Sequence, residues 1–99
     1  MIYNVVFHPK AEEEFREAVW WYGNQQEGLD LEFVRCIDEA IQKIKREPGL
    51  YPIEFENYRK KVVKRFPFKI LYEIVDDNIY ILAVFHSRRN QEQFRSRNK

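Results

Sequence analysis

Apolar residues recur at two different periods along this chain, and the switch between them divides it into a helical half and a strand half. Ile2–Phe7 comes first: Tyr3, Val5 and Phe7 alternate against Ile2, Asn4 and Val6, the period of a strand. Pro9 closes that strand and opens a helix, because proline is favoured in the first helical turn. Glu12, Glu13 and Glu14 then complement the positive end of the helix dipole. Ala11, Phe15, Ala18, Val19 and Tyr22 fall at helical spacing and form one apolar face, which Gly23 to Gly28 interrupts. A second helix is predicted from Leu29 to Lys45, burying Phe33, Ile37, Ala40, Ile41 and Ile44, and Pro48-Gly49 stops it.

From Tyr58 onward the period is that of strands. Tyr58–Phe66, Phe68–Val75 and Ile79–His86 are separated by Pro67 and by Asp76-Asp77-Asn78, which predicts an antiparallel meander. Ile79–Phe85 is almost continuously apolar and reads as a central strand covered on both faces, whereas Tyr58–Phe66 is half charged and more exposed. The predicted fold is α+β, with two helices packed on one side of a small twisted sheet and the first strand added at its edge. With Asp77-Asn78 as a two-residue loop, Val75 opposes Tyr80, Glu73 opposes Leu82 and Lys69 opposes His86; a three-residue loop pairs Phe68 with His86 instead. A one-residue slip reverses every facing side chain, so the register decides what shares a face.

Charge adds a feature that the whole-chain value of +1 conceals. Residues 1–57 hold 6 basic and 12 acidic residues, net −6, while residues 58–99 hold 11 basic and 4 acidic, net +7. Such asymmetry points to an anionic partner for the second half. Arg59, Lys60 and Lys64 with Arg65 lie along one strand, and His86, Arg88 and Arg89 close another. In either register Lys69 and His86 share the sheet end with Arg65, Arg88 and Arg89, which makes that end the candidate anion-binding site. Exposed cations on a strand also discourage edge-to-edge pairing, a purely structural account of Lys60, Lys61 and Lys64.

The length of 99 residues suits one domain, expected over 1–94, with a frayed basic tail at 95–99. No run approaches the ~20 apolar residues of a membrane span and the N-terminus reads as a strand, so a cytoplasmic protein is expected. Cys36 is alone in the apolar part of a helix and reads as a core thiol. With His8 and His86 the only histidines and no ligand spacing, neither a metal nor an organic cofactor is expected. Trp20 and Trp21 are adjacent and cannot both face the core of one helix, so one is expected to cover a boundary or meet a partner and the other to pack in the core.

Short motifs in a fixed order complete the reading. They are Val6-Phe7-His8-Pro9-Lys10-Ala11 with Glu14, Trp21-Tyr22, Gly28-Leu29 and Phe33, then Pro48, Tyr51-Pro52 and Arg59. Arg65-Phe66-Pro67-Phe68, Leu71-Tyr72-Glu73 and Ile81–Arg89 follow. In their order and spacing they resemble the RelE/ParE superfamily of type II toxin–antitoxin toxins, which includes plasmid stabilisation proteins. The resemblance spans nearly the whole chain.

It implies a growth-arresting toxin neutralised by a co-expressed antitoxin, as a toxin–antitoxin heteromer or a homodimer. RelE-like members cut mRNA in the ribosome, and ParE-like members inhibit DNA gyrase. Carried over from the RelE-like branch, the catalytic residues would be Lys60, Lys69 and Arg89, with Lys69 standing where that branch has an arginine. Its C-terminal tyrosine has no counterpart, since Phe94 and Arg95 occupy the region. Another nuclease branch pairs histidine with tyrosine, and here His86 precedes Ser87. The ending Val84–Arg89 looks more like ParE, so the gyrase reading is preferred. A third reading, a non-catalytic nucleic-acid-binding module, would stack bases on Tyr58, Phe66 and Phe68. An acidic or amphipathic antitoxin segment is expected to cover part of the basic half.

Overall fold

The computed structural model describes residues 2–88. In chain order its elements are β1 (Asn4–Phe7), α1 (Pro9–Gln25), α2 (Leu29–Arg46), β2 (Ile53–Phe55), β3 (Tyr58–Val62), β4 (Phe68–Val75) and β5 (Asn78–His86). They form one five-stranded sheet in the order β1-β5-β4-β3-β2. β1 runs parallel to β5, and the other neighbours are antiparallel. The α+β architecture with a helix pair on one face is therefore as the residue periods predict. The sheet gains β2, whose three residues are too few to show a period.

The helices take their positions from particular residues. His8 caps α1, its Nδ1 accepting the Lys10 backbone N–H at 3.0 Å, and Pro9 occupies the first turn. α1 does not stop at Gly23. The helix runs on to Gln25 because α2 packs against its last turn, and a Cβ on Gly23 would come within 3.4 Å of the Asp30 side chain. Gly28 begins α2 at φ 86°, a left-handed conformation in which glycine lacks the Cβ penalty.

Between the helices and the sheet lies the main core, built from Phe33, Cys36, Ile37, Ala40 and Ile44 of α2 with Ile70, Tyr72, Ile79, Ile81 and Val84 of the sheet. At one end the rings of Phe15, Tyr22, Phe66 and Phe68 surround Phe33, with centroids 5.0–6.0 Å from it. Cys36 is buried here as a core thiol. Tyr72 is wholly buried as well, and its hydroxyl donates to the Pro48 carbonyl at 2.6 Å. Desolvation pushes its pKa up to about 12.

Residues of opposite parity face away from the helices. Phe55, Tyr58, Leu71, Leu82, Ala83 and Phe85 make a second, smaller apolar cluster there. The burial of Ile79–Phe85, apart from Tyr80, agrees with the prediction of a strand covered on both faces.

Two local departures from the predicted strands decide which side chains meet. The β4–β5 turn is Asp76-Asp77, so Val75 pairs with Asn78 and Glu73 with Tyr80, rather than Val75 with Tyr80. An irregularity follows: Leu71 pairs with Ala83 but Tyr72 with Ile81, leaving Leu82 as the additional residue. Its result is Phe68 opposite His86 and Lys69 opposite Phe85, which corrects the two-residue-loop expectation of Lys69 opposite His86. β3 also ends early, at Val62 rather than Phe66. Val63 turns into the main core, its N–H donating to the Phe68 carbonyl at 2.9 Å, and Arg65 adopts φ 72° in the turn that follows.

Candidate functional site

Alternation along each strand sorts the predicted cations onto two faces. Arg59 and Lys61 share the helix side with Tyr72 and Ile70, their ladder partners. Lys60 and Lys69 lie on the other side with Leu71 and Phe85. His86, opposite Phe68, belongs to the helix side, where its ring meets the Phe68 ring edge-on at 5.6 Å. Lys69 and His86 thus share a sheet end but project from opposite faces.

Three of the predicted cations have partners within the fold. Arg59 donates from Nη1 to the carbonyls of Tyr51 at 2.6 Å and Gly49 at 3.2 Å, fastening the α2–β2 connection beside the Tyr72–Pro48 bond. Lys60 pairs with Glu54 of β2 at 3.3 Å in a half-buried setting. Arg65 reaches Glu32 of α2 at 3.6 Å, and Glu32 also holds Arg35. The Glu32 carboxyl is held below its usual pKa range, first by the Arg35 hydrogen bond and then by the nearby Arg35 and Arg65 charges. Arg59 accordingly reads as a structural clamp. Arg59→Ala is expected to cost about 1–3 kcal/mol by removing a charged donor from two carbonyls, measured as a lower denaturation midpoint. An unchanged midpoint would contradict that role.

Lys64, Lys69 and Arg88 make no ion pair among the described residues. Lys64 occupies the turn after β3 and Arg88 the turn after β5. The Ser87 N–H donates to the Pro67 carbonyl at 2.8 Å and ties these two turns together. Lys69, opposite both Val62 and Phe85, stands on the strand between them. His86 Nδ1 accepts the Arg88 N–H at 3.3 Å and so braces the second turn. At the sheet end where the cations were expected to gather, Lys64, Lys69 and Arg88 are therefore the ones without an ion-pair partner among the described residues. Arg89 and the tail 95–99 lie outside the described residues, as does the predicted domain boundary at 94.

Chemically, the arrangement suits binding. A cluster of unpaired cations attracts phosphates or carboxylates and accelerates encounter with an anionic surface. Lys60, the strand position that would serve a nuclease, is engaged with Glu54, and His86 is directed to the opposite face from Lys69. Among the described residues no group of three or more His, Cys, Asp and Glu is placed to hold a metal ion. Tyr58 and Phe68 are buried, and Phe66 packs edge-on against Tyr22 and Phe33. These rings are not offered for base stacking.

The sequence profile of the family described as ParE toxin of type II toxin-antitoxin system, parDE, matches residues 5–91. The chain belongs to the ParE toxin family. It is 26% identical over 84 residues to Toxin ParE2 of Mycobacterium tuberculosis, covering 84% of this chain and 80% of that protein. Its fold matches the chromosomal ParDE TA system from P. aeruginosa with a TM-score of 0.70 at 19% identity, over 86% of this chain and 96% of the other. E. coli toxin RelE, as a mutant in the free state, superposes with a TM-score of 0.71 at 10% identity, over 99% and 98% of the two chains.

This ParE-family chain is thus the toxin component of a type II toxin–antitoxin system, and an antitoxin is its partner. No helix among the described residues is long and apolar enough to cross a membrane. Two features of the toxin escaped the sequence reading. His8 caps a helix, for which the signal is its place directly before Pro9. Trp20 and Trp21 are both outside the core, 71% and 52% exposed, because Ala18 and Tyr22 take the inward positions between which they fall.

Proposed function

We propose that this toxin arrests bacterial growth in the cytoplasm by inhibiting DNA gyrase, and that Lys64, Lys69 and Arg88 form the surface that engages the target. The observation that carries the reading is the disposition of the cations. Three have no ion-pair partner among the described residues at one sheet end, while Lys60 is tied to Glu54 and His86 faces away from Lys69. Such a surface binds without needing a converging acid and base. Membership of the ParE family supports the same choice.

The second reading, ribosome-dependent mRNA cleavage, draws on one specific feature. Lys60 and Lys69 share the helix-free face as near-diagonal neighbours on β3 and β4. Inducing the chain without antitoxin separates the two. DNA synthesis is expected to stop before protein synthesis when labelled thymidine and labelled leucine are followed in parallel. An earlier halt in leucine incorporation would move the assignment to the nuclease reading.

A further inference from the structure

Glu56, Arg65 and Asp76 adopt positive φ, at 49°, 72° and 55°. Glu56 and Asp76 each lie in a two-residue hairpin link, where a left-handed backbone matches the twist of the flanking strands. Arg65 does not. It lies in the five-residue connection between β3 and β4, next to Lys64, and its side chain brings a steric cost that glycine would avoid. A strained backbone persists only where its surroundings hold it, and such positions gather at working surfaces.

What the Arg65 side chain gains is a tie to α2. Its Nη1 stands 3.6 Å from Glu32 Oε1. Beside it, Phe66 packs edge-on against Phe33, the residue after Glu32, with 5.2 Å between ring centroids. The turn is thus pinned to α2 at two successive residues, one through charge and one through a ring. Within the turn the Val63 N–H donates to the Phe68 carbonyl at 2.9 Å, and the Phe68 N–H to the Phe66 carbonyl at 2.8 Å. Lys64 is exposed and sits between these anchors.

Glu32 is shared. Arg35, one turn further along α2, donates to it from Nε at 3.1 Å and from Nη2 at 3.0 Å. Those are hydrogen bonds, whereas 3.6 Å leaves Arg65 with a Coulombic contact alone. Arg35 therefore competes with the turn for the carboxylate.

We propose that Glu32 is a positioning residue for the target-binding surface: through Arg65 it keeps Lys64 at the sheet end with Lys69 and Arg88, and Arg35 limits how firmly it does so. The inference rests on the role proposed above for those three cations. A surface ion pair is a weak restraint, so its loss loosens the turn without releasing it.

The test induces the full chain without antitoxin and reads the inducer concentration that halves growth. Amide hydrogen exchange at Phe68 and the denaturation midpoint are measured on the purified toxin. Glu32→Gln keeps the shape of the side chain and removes its charge. It is expected to raise the halving dose and to speed Phe68 exchange, each roughly threefold. Arg65→Gly is expected to do the same with a midpoint no lower than the native one, because the strain leaves with the tie. Arg35→Met, which releases Glu32 to Arg65, is expected to shift both readouts the other way. In a Lys64→Ala background, Glu32→Gln is expected to add nothing to the dose, since the residue it positions is gone.

The same added dose in that background would show a merely structural role and overturn the proposal. Unchanged Phe68 exchange in Glu32→Gln overturns it too, as does Arg35→Met acting in the same direction as Glu32→Gln. Each of these leaves the cation surface standing. Arrest by Lys64→Ala at the native dose removes Lys64 from that surface, and the positioning role with it.

Discussion

Alanine at Lys64, Lys69 and Arg88 together is expected to relieve growth arrest almost completely while leaving the toxin folded. Each of the three projects from the same sheet end, and none has an ion-pair partner among the described residues. Their removal therefore uncovers no buried charge. Lys64 and Arg88 are exposed and Lys69 is half-buried, and substitutions that leave no buried partner behind change stability by about 0.5 kcal/mol or less each. Their contribution to an anionic target is collective: clustered cations raise the local potential, accelerate encounter and fix orientation. Single alanines are expected to weaken toxicity only partly. The assay is colony formation after induction without antitoxin, with the denaturation midpoint of the purified triple variant as the check on folding. Undiminished arrest by a folded triple variant would remove this surface from the account.

Phe33→Ala is expected to have the largest effect on stability. Phe33 is wholly buried, and its ring is the one that Phe15, Tyr22, Phe66 and Phe68 all contact. It joins α1, α2 and the turn after β3 to the sheet. Removing it forfeits the transfer free energy of an aromatic ring and leaves a cavity that four surrounding rings cannot collapse into, a loss of about 3–5 kcal/mol. Domains of this size are stable by only about 5–15 kcal/mol, so the variant should lie near its unfolding threshold at growth temperature. Denaturant unfolding checks it, with a lower midpoint and an unchanged slope. A loss below about 1 kcal/mol would mean that the aromatic cluster is not what joins the layers.

The particular residues that were legible in the sequence, and those that were not, follow from the range of the physics involved. The α2 stripe of Phe33, Ile37, Ala40 and Ile44 was legible because a helix repeats its buried positions within its own sequence. The sheet-end cations were legible as a cluster, since charge is a property of composition. Their division between faces was not. Facing depends on strand parity, and parity turned on a two-residue Asp76-Asp77 turn and one additional residue at Leu82, hidden in a run where every neighbour is apolar. The roles of Arg59 and Arg65 were equally hidden, because their partners, the Tyr51 carbonyl and Glu32, are brought close only by tertiary packing.

Lys64, Lys69 and Arg88 have no ion-pair partner among the described residues and lie at one end of the sheet. The proposal is that the toxin's target is held there by charge and not cut. Its most direct test is a supercoiling assay with purified gyrase and relaxed plasmid, run beside programmed ribosomes carrying labelled mRNA. The native toxin is expected to block supercoiling, the Lys64, Lys69 and Arg88 triple alanine variant to lose that block, and the mRNA to remain intact. Codon-specific cleavage of the mRNA with gyrase unaffected would contradict the account.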